Sequence, residues 1–232
     1  MRTTWLCDFD GTIARTDVGA ALVERYARSD RARRRALAEA WRAGRLGSRA
    51  LIVAECAAVR VSHDEALAFA RGVELDPGFA AFAAAAAGRG ERVEVVSDGF
   101  DFYVRELLER AGLGALPRSA NRVRFAGDRM IPGFPTRAPA GACGRCGNCK
   151  AAHVARARAR GDRVVLVGDG CSDRCAAPLA DQVLAKGALL RWCRERGIAA
   201  QPFDGFADVE RIARARAGAV HHADTAAAPA GS

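Results

Sequence analysis

The chain has 232 residues, 50% hydrophobic and 27% charged, with a formal net charge of +9, enough for one domain plus a substantial insertion. No apolar run approaches the roughly 20 residues a bilayer crossing needs, and Asp8 and Asp10 interrupt any secretory leader core, so a cytoplasmic protein is expected, with no membrane partner and with its cysteines as reduced thiols or metal ligands. All but two of the 36 basic residues are arginine; the densest group, Arg31, Arg33, Arg34 and Arg35, has no interleaved aromatic platform for bases, so the charge reads as solvated arginine in a biased composition and no nucleic-acid partner is expected.

Residues 5–7 read as a buried strand that ends in Asp8-Phe9-Asp10-Gly11-Thr12. Side chains two apart share a strand face, so Asp8 and Asp10 project together from its carboxyl end. Carboxylates that close repel unless a cation or a shared proton relieves them, and an oxygen-rich site suits Mg2+. From 17 to about 71 come four helical segments rich in alanine and arginine, broken near Ser29-Asp30, 44–48 and Val61-Ser62, with a capping box in Ser62-His63-Asp64-Glu65. These are expected to form a helical cap, 16–75, inserted into a core of 1–15 and 76–218. Asp76-Pro77-Gly78 marks the return to that core.

Helix and strand then alternate. A helix at 80–87 is followed by a strand at 93–97, a helix at 100–111, and a hairpin of 121–125 with 129–131 about Gly127-Asp128. After a loop at 133–147 come a helix at 148–160, a strand at 163–167, a short helix at 172–180, a strand at 182–184, and helices at 188–196 and 204–215. Residues 219–232 form a tail expected to be disordered. The alternation predicts an α/β fold, a doubly wound parallel sheet carrying the inserted cap. Ligands of such sheets sit outside the carboxyl ends of the strands. Those ends offer Asp8 and Asp10, then Ser97-Asp98-Gly99, then Gly168-Asp169-Gly170 with Ser172-Asp173.

Phosphoryl transfer requires a carboxylate nucleophile to approach an anion, which it can do only beside a divalent cation and a cluster of donors. Asp8 suits the nucleophile and Asp169 the second metal carboxylate. Ser97 and the Gly99 amide can donate to phosphate oxygens, and Lys150 can balance charge between nucleophile and phosphate. Asp98 reads as a surface turn residue.

At these residues the chain resembles the haloacid dehalogenase superfamily of phosphatases. Asp8-Phe9-Asp10-Gly11-Thr12 looks like its first motif, Ser97-Asp98-Gly99-Phe100 its second, Lys150 its third, and Gly168-Asp169-Gly170-Cys171-Ser172-Asp173 its fourth. The resemblance implies an aspartyl phosphate formed on Asp8, with Asp10 protonating the leaving alcohol and later activating water. It implies Mg2+ held by Asp8, the backbone carbonyl of Asp10, and Asp169, with Asp173 orienting metal-bound water or Lys150. A helical insertion after the first motif is similar to the phosphoserine phosphatase-like branch. The run Cys143-Gly144-Arg145-Cys146-Gly147-Asn148-Cys149-Lys150 resembles the methionine-salvage phosphatases acting on 2-hydroxy-3-keto-5-methylthiopentenyl-1-phosphate, and also the phosphocholine and phosphoethanolamine phosphatases. Ser172 stands where phosphoserine phosphatases usually show asparagine, which weakens phosphoserine as substrate. A small phosphate ester is the expected partner, and nothing in the sequence sets an oligomeric state.

Cys143, Cys146, Cys149 and His153 follow C-x2-C-x2-C-x3-H, with Cys149 and His153 on one helix face, so this set could hold zinc. Cys171 and Cys175 read as packing residues and Trp41 as an anchor. The rival from another class is an inactive phosphatase fold that binds metal or responds to redox through its cysteine cluster; the intact Asp8, Asp10, Lys150 and Asp169 set argues against it.

Overall fold

The computed structural model describes residues 1–136, 138 and 143–226. Seven strands form one sheet: β1 (Thr3–Cys7), β2 (Arg92–Phe100), β3 (Arg118–Ala126), β4 (Arg129–Gly133), β5 (Arg163–Gly168), β6 (Gln182–Ala185) and β7 (Gln201–Pro202). Their order is β4-β3-β2-β1-β5-β6-β7. Every pairing is parallel except the β3–β4 hairpin at one edge.

Strand β1 is central and wholly buried. Its alternation supplies two cores: Trp5 and Cys7 join Phe79, Phe82 and Val165 on one face, while Leu6 joins Val154, Leu166 and Leu189 on the other. A sheet covered on both faces explains why β1 and β5 read as continuous apolar runs. Trp5 meets Phe82 edge to face at 5.1 Å, and truncating such a residue to alanine costs about 3–5 kcal/mol.

The helices α1 (Val18–Tyr26), α2 (Arg31–Arg42), α3 (Ser48–Ala58) and α4 (His63–Ala70) all fall between β1 and α5 (Phe79–Gly88). Asp17 and Asp30 cap α1 and α2, each accepting from backbone amides, and the Ser62/Glu65 capping box opens α4 as its spacing requires. The chain leaves and returns side by side: Arg15 N donates to Glu74 O at 3.0 Å and Asp76 N to Ile13 O at 2.7 Å.

The remaining helices are α6 (Asp101–Arg110), α7 (Lys150–Ala159), α8 (Gly187–Glu195) and α9 (Phe206–Ala226). Three details depart from expectation. The segment 172–180 is two 3-10 turns, Cys171–Asp173 and Ala177–Leu179, because Pro178 lacks an amide donor and the Asp173 carboxylate takes the Gly170 amide. Strand β7, two residues long, has no periodicity to announce it. Helix α9 continues to Ala226, with alanine at 217, 219, 223 and 226 as its favourable helix formers, into the tail expected to be disordered; residues 227–232 lie outside the described residues.

Candidate active site

The carboxyl end of β1 opens directly into the site. Asp8 N continues the ladder to Val167 O at 2.9 Å, so the Asp8 side chain is fixed between β1 and β5. Gly11 then turns the chain with φ of 77°, a conformation that favours glycine. A Cβ there would also stand 2.6 Å from Asp169 Oδ2, so both backbone and space demand glycine.

Lys150, at the start of α7, is 2% exposed. Its ammonium lies 2.6 Å from Asp8 Oδ1 and 2.6 Å from Asp173 Oδ1 and donates to Ser172 Oγ at 3.0 Å. An ammonium has three N–H donors, and each has an acceptor here. Burial opposes its charge, but Asp173 and Asp8 prevail and hold Lys150 well above its ordinary value. Asp173 is fully buried, its other oxygen taking the Gly170 amide at 3.1 Å. A Cβ at position 168 would collide with Asp173 Cγ at 2.5 Å, so Gly168 is what lets this carboxylate approach.

Asp8, Asp169 and Asp173 each present an oxygen, and these oxygens lie within 4.8 Å of one another. Thr12 Oγ1 donates to Asp169 Oδ1 at 3.0 Å. Burial, and then repulsion from Asp173, raises Asp169; burial likewise raises Asp8, with Lys150 opposing and Asp173 and Asp169 adding to the rise. Three carboxylates face one ammonium. The excess negative charge and the all-oxygen donor set fit a hard divalent cation such as Mg2+.

Asp10 does not point into that group. Its Oδ1 accepts from Val18 N at 2.9 Å, and its Oδ2 from Ser97 Oγ and Tyr103 OH, both at 3.0 Å. Burial, then the charge of Asp17, pushes Asp10 up to about 7, against the pull of these donors. A carboxyl half protonated near neutrality can serve as both acid and base. Ser97 is fully buried and accepts from the Gly99 amide at 2.8 Å, so the Gly99 amide bonds Ser97, which in turn bonds Asp10. The β2–β3 register shifts between Val96 and Phe100, and this irregularity aims Ser97 and Gly99 at the site. A Cβ at Gly99 would overlap Tyr103 OH.

Three residues escaped sequence reasoning. Tyr103, fully buried on α6, lies far from any motif, and its helical periodicity marks it only as core. Asp98 is no surface turn residue: its Oδ1 accepts from Asn148 N at 2.7 Å and Asn121 Nδ2 at 3.2 Å, which locks the loop before Lys150 onto β2. Asn148 in turn donates to Ser97 O and Ser119 O. A cavity of about 200 Å³ lies above Asp8, Asp10 and Asp169, walled by Leu22, Trp41, Leu51 and Ile52 and carrying Asp17 and Glu55. Trp41 is thus a wall of the site.

The expected zinc set does not assemble. Cys149 is buried with Ala151 and Ala152, and His153 Nε2 faces Asn148 Oδ1 at 2.8 Å. Burial, with the charges of Arg156 and Lys150, pushes His153 down to about 3, so it sits neutral in a hydrogen-bonded core. The helix start at Lys150 turns Cys149 inward. Cys143 and Cys146 instead meet Cys175, which is exposed and not a packing residue.

The family model for haloacid dehalogenase-like hydrolases matches residues 5–178. The bifunctional enzyme MtnB/MtnX of Bacillus licheniformis is 30% identical over 221 residues, 89% of this chain but 48% of that protein, so the chain spans about half of that relative's length. A 2-hydroxy-3-keto-5-methylthiopentenyl-1-phosphate phosphatase of Exiguobacterium sibiricum is 32% identical over 58% of this chain and 61% of that protein; one of Bacillus cereus is 28% identical over 88% and 92%. Among solved structures, a phosphoserine phosphatase holding a phospho-aspartyl intermediate analogue superposes with a TM-score of 0.69 at 18% identity, covering 91% of this chain and 98% of that one. At that identity the likeness is one of fold, and it agrees with the doubly wound sheet. The chain belongs to the haloacid dehalogenase-like hydrolases.

Proposed function

We propose that the chain is a cytoplasmic phosphomonoester hydrolase working through an aspartyl phosphate on Asp8, with residues 16–75 as a cap over a core of 1–15 and 76–218. The observation that carries this reading is the Lys150 ammonium at 2.6 Å from both Asp8 and Asp173, with Asp10, pushed up to about 7 by burial and Asp17, lining the same cavity as Asp8. Asp8, Asp169 and the Asp10 carbonyl would hold Mg2+, with Asp173 fixing Lys150. The cation supplies charge neutralisation for phosphoryl oxygens.

Asp8 attacks phosphorus as the bond from phosphorus to the alcohol oxygen breaks, and Asp10 gives its proton to that leaving oxygen. Asp10, now ionised, takes a proton from water as the water oxygen attacks the phosphorus of the aspartyl phosphate. Phosphate leaves and Asp8 is restored. Lys150 offsets the charge gathered between nucleophile and phosphate throughout. Ser97 and the Gly99 amide turn from each other to phosphate oxygens when the ester enters.

The apolar walls at Leu22, Trp41, Leu51 and Ile52 suit a small ester with an apolar arm, and the names of the relatives favour 2-hydroxy-3-keto-5-methylthiopentenyl-1-phosphate. A second reading, phosphocholine or phosphoethanolamine, is favoured by Asp17 and Glu55 on the same walls, which suit a cationic headgroup. The test is magnesium-dependent phosphate release from these three esters and phosphoserine by the native chain and by Asp8→Asn. Release by the native chain alone supports the mechanism, and the preferred ester chooses the substrate. Absence of release from any ester by folded, magnesium-loaded protein refutes the reading.

A further inference from the structure

A second cluster lies outside the aspartates. The sulfurs of Cys143, Cys146 and Cys175 lie within 4.8 Å of one another, with Cys143 and Cys175 exposed and Cys146 half-buried. Two of these residues precede Lys150, and the third follows Asp173.

We propose that Cys143, Cys146 and Cys175 form a binding site for a soft divalent cation of the zinc type, with water as the fourth ligand. Around a tetrahedral zinc ion with bonds of about 2.3 Å, sulfurs stand roughly 3.8 Å apart, so a small contraction of the observed triangle suffices. Each thiol that binds loses its proton to solvent, and no oxidant is needed. The third thiol decides against a simple disulfide, which joins two sulfurs at about 2.05 Å and leaves one idle. Arg145, whose positive charge favours the Cys175 thiolate, would offset part of the charge of three thiolates.

The loop around Cys146 is already anchored. Arg145 O accepts from Arg49 N at 3.1 Å, Gly147 N donates to Ser48 Oγ at 3.0 Å, and Asn148 N donates to Asp98. Such a scaffold holds Cys146 in place before an ion arrives, so little ordering entropy remains to be lost on binding. The bound ion would tie the loop before Lys150 to the turn after Asp173, across the outer side of the aspartate site. The cysteine site stands whether or not the aspartates hydrolyse phosphate.

Cobalt is the probe. Titrating Co2+ into the reduced full chain is expected to give the near-ultraviolet thiolate-to-cobalt charge-transfer band of one ion per chain, a signal the carboxylates cannot produce, and zinc should quench it. Cys146→Ser and Cys175→Ser should lose the band and weaken zinc retention at least about tenfold, whereas Cys149→Ser should keep both. Absence of the band in the reduced native chain, or an undiminished band in Cys175→Ser, would overturn the site.

Discussion

The same two stretches of chain, 143–150 and 168–175, build two clusters of opposite character. Inward, Lys150 and Asp173 meet Asp8 with 2%, 0% and 5% exposure. Outward, Cys143 and Cys175 are exposed and Cys146 half-buried. Charge taken out of water is tolerable only when its hydrogen-bonding atoms are paired, which is why Lys150 has an acceptor for each proton and Asp173 has a partner on each oxygen. Thiols are neutral small groups and carry no such demand. One cluster is therefore locked by its own ion pairs before any ligand arrives, whereas the three thiols of the other, on a backbone anchored at Cys146, would be joined only by a ligand.

Removing the central cation should produce the largest effect. In Lys150→Met the buried Asp8 and Asp173 lose their common partner, and breaking a buried ion pair costs roughly 3–5 kcal/mol. Urea unfolding of the metal-free chain checks this; a variant as stable as the native chain would show that the inner cluster is not locked by Lys150. Asp10→Asn comes next. It should lower kcat/KM by about 10²- to 10⁴-fold and abolish the basic limb of the pH profile. The limb follows from Asp10 at about 7: the acid form is needed to protonate the leaving alcohol, so native kcat/KM falls as pH rises through that value. A limb that persists in Asp10→Asn would assign the proton to another group.

Glu55 supplies an intermediate case, a carboxyl on the cavity wall. Burial, then Asp17, pushes it up to about 7 from 4.5. Its protonated form is the one that the fold favours, so its contribution to stability is whole below 4.5 and is lost as pH rises through about 7. Glu55→Gln should match the native melting temperature best at low pH and exceed it increasingly up to about pH 7. An equal difference at about pH 4 and pH 8 would remove Glu55 as the cause.

How much of this could be read in the sequence differs between the clusters for a physical reason. Asp8, Asp10, Ser97 and Asp169 sit near strand ends, where an apolar run and a following glycine announce them, Asp173 follows in the turn after β5, and β1, β2 and β5 were legible from the same runs. The Cys143/Cys146/Cys175 triangle was not legible as spacing, since its third member arrives through the adjacency of two loops. Cys149 and His153 satisfied a spacing rule yet are turned inward by the helix that starts at Lys150. Tyr103 and Asp98 act through contacts across the fold, and no local pattern separates a tyrosine that holds Asp10 from one that only fills the core. The two 3-10 turns after β5 depend on Asp173 capping Gly170, a bond visible only once the loop is folded.

The smallest effect belongs to the outer cluster without metal, and its size carries the comparison furthest. In excess chelator, Cys175→Ser replaces an exposed thiol by a hydroxyl and removes no pair that burial requires, so its unfolding free energy should fall within about 0.5 kcal/mol of the native value. With zinc at about 100 times its dissociation constant, the native chain should gain roughly 2.7 kcal/mol, while Cys175→Ser gains little. The contrast between the two conditions matters more than either alone. A large loss in chelator would mean that Cys175 is a packing residue after all, and an equal zinc response in both chains would place the ion elsewhere. A gap that opens only with zinc would show the outer thiols to be joined by their ligand, where Lys150 joins the inner carboxylates before any ligand binds.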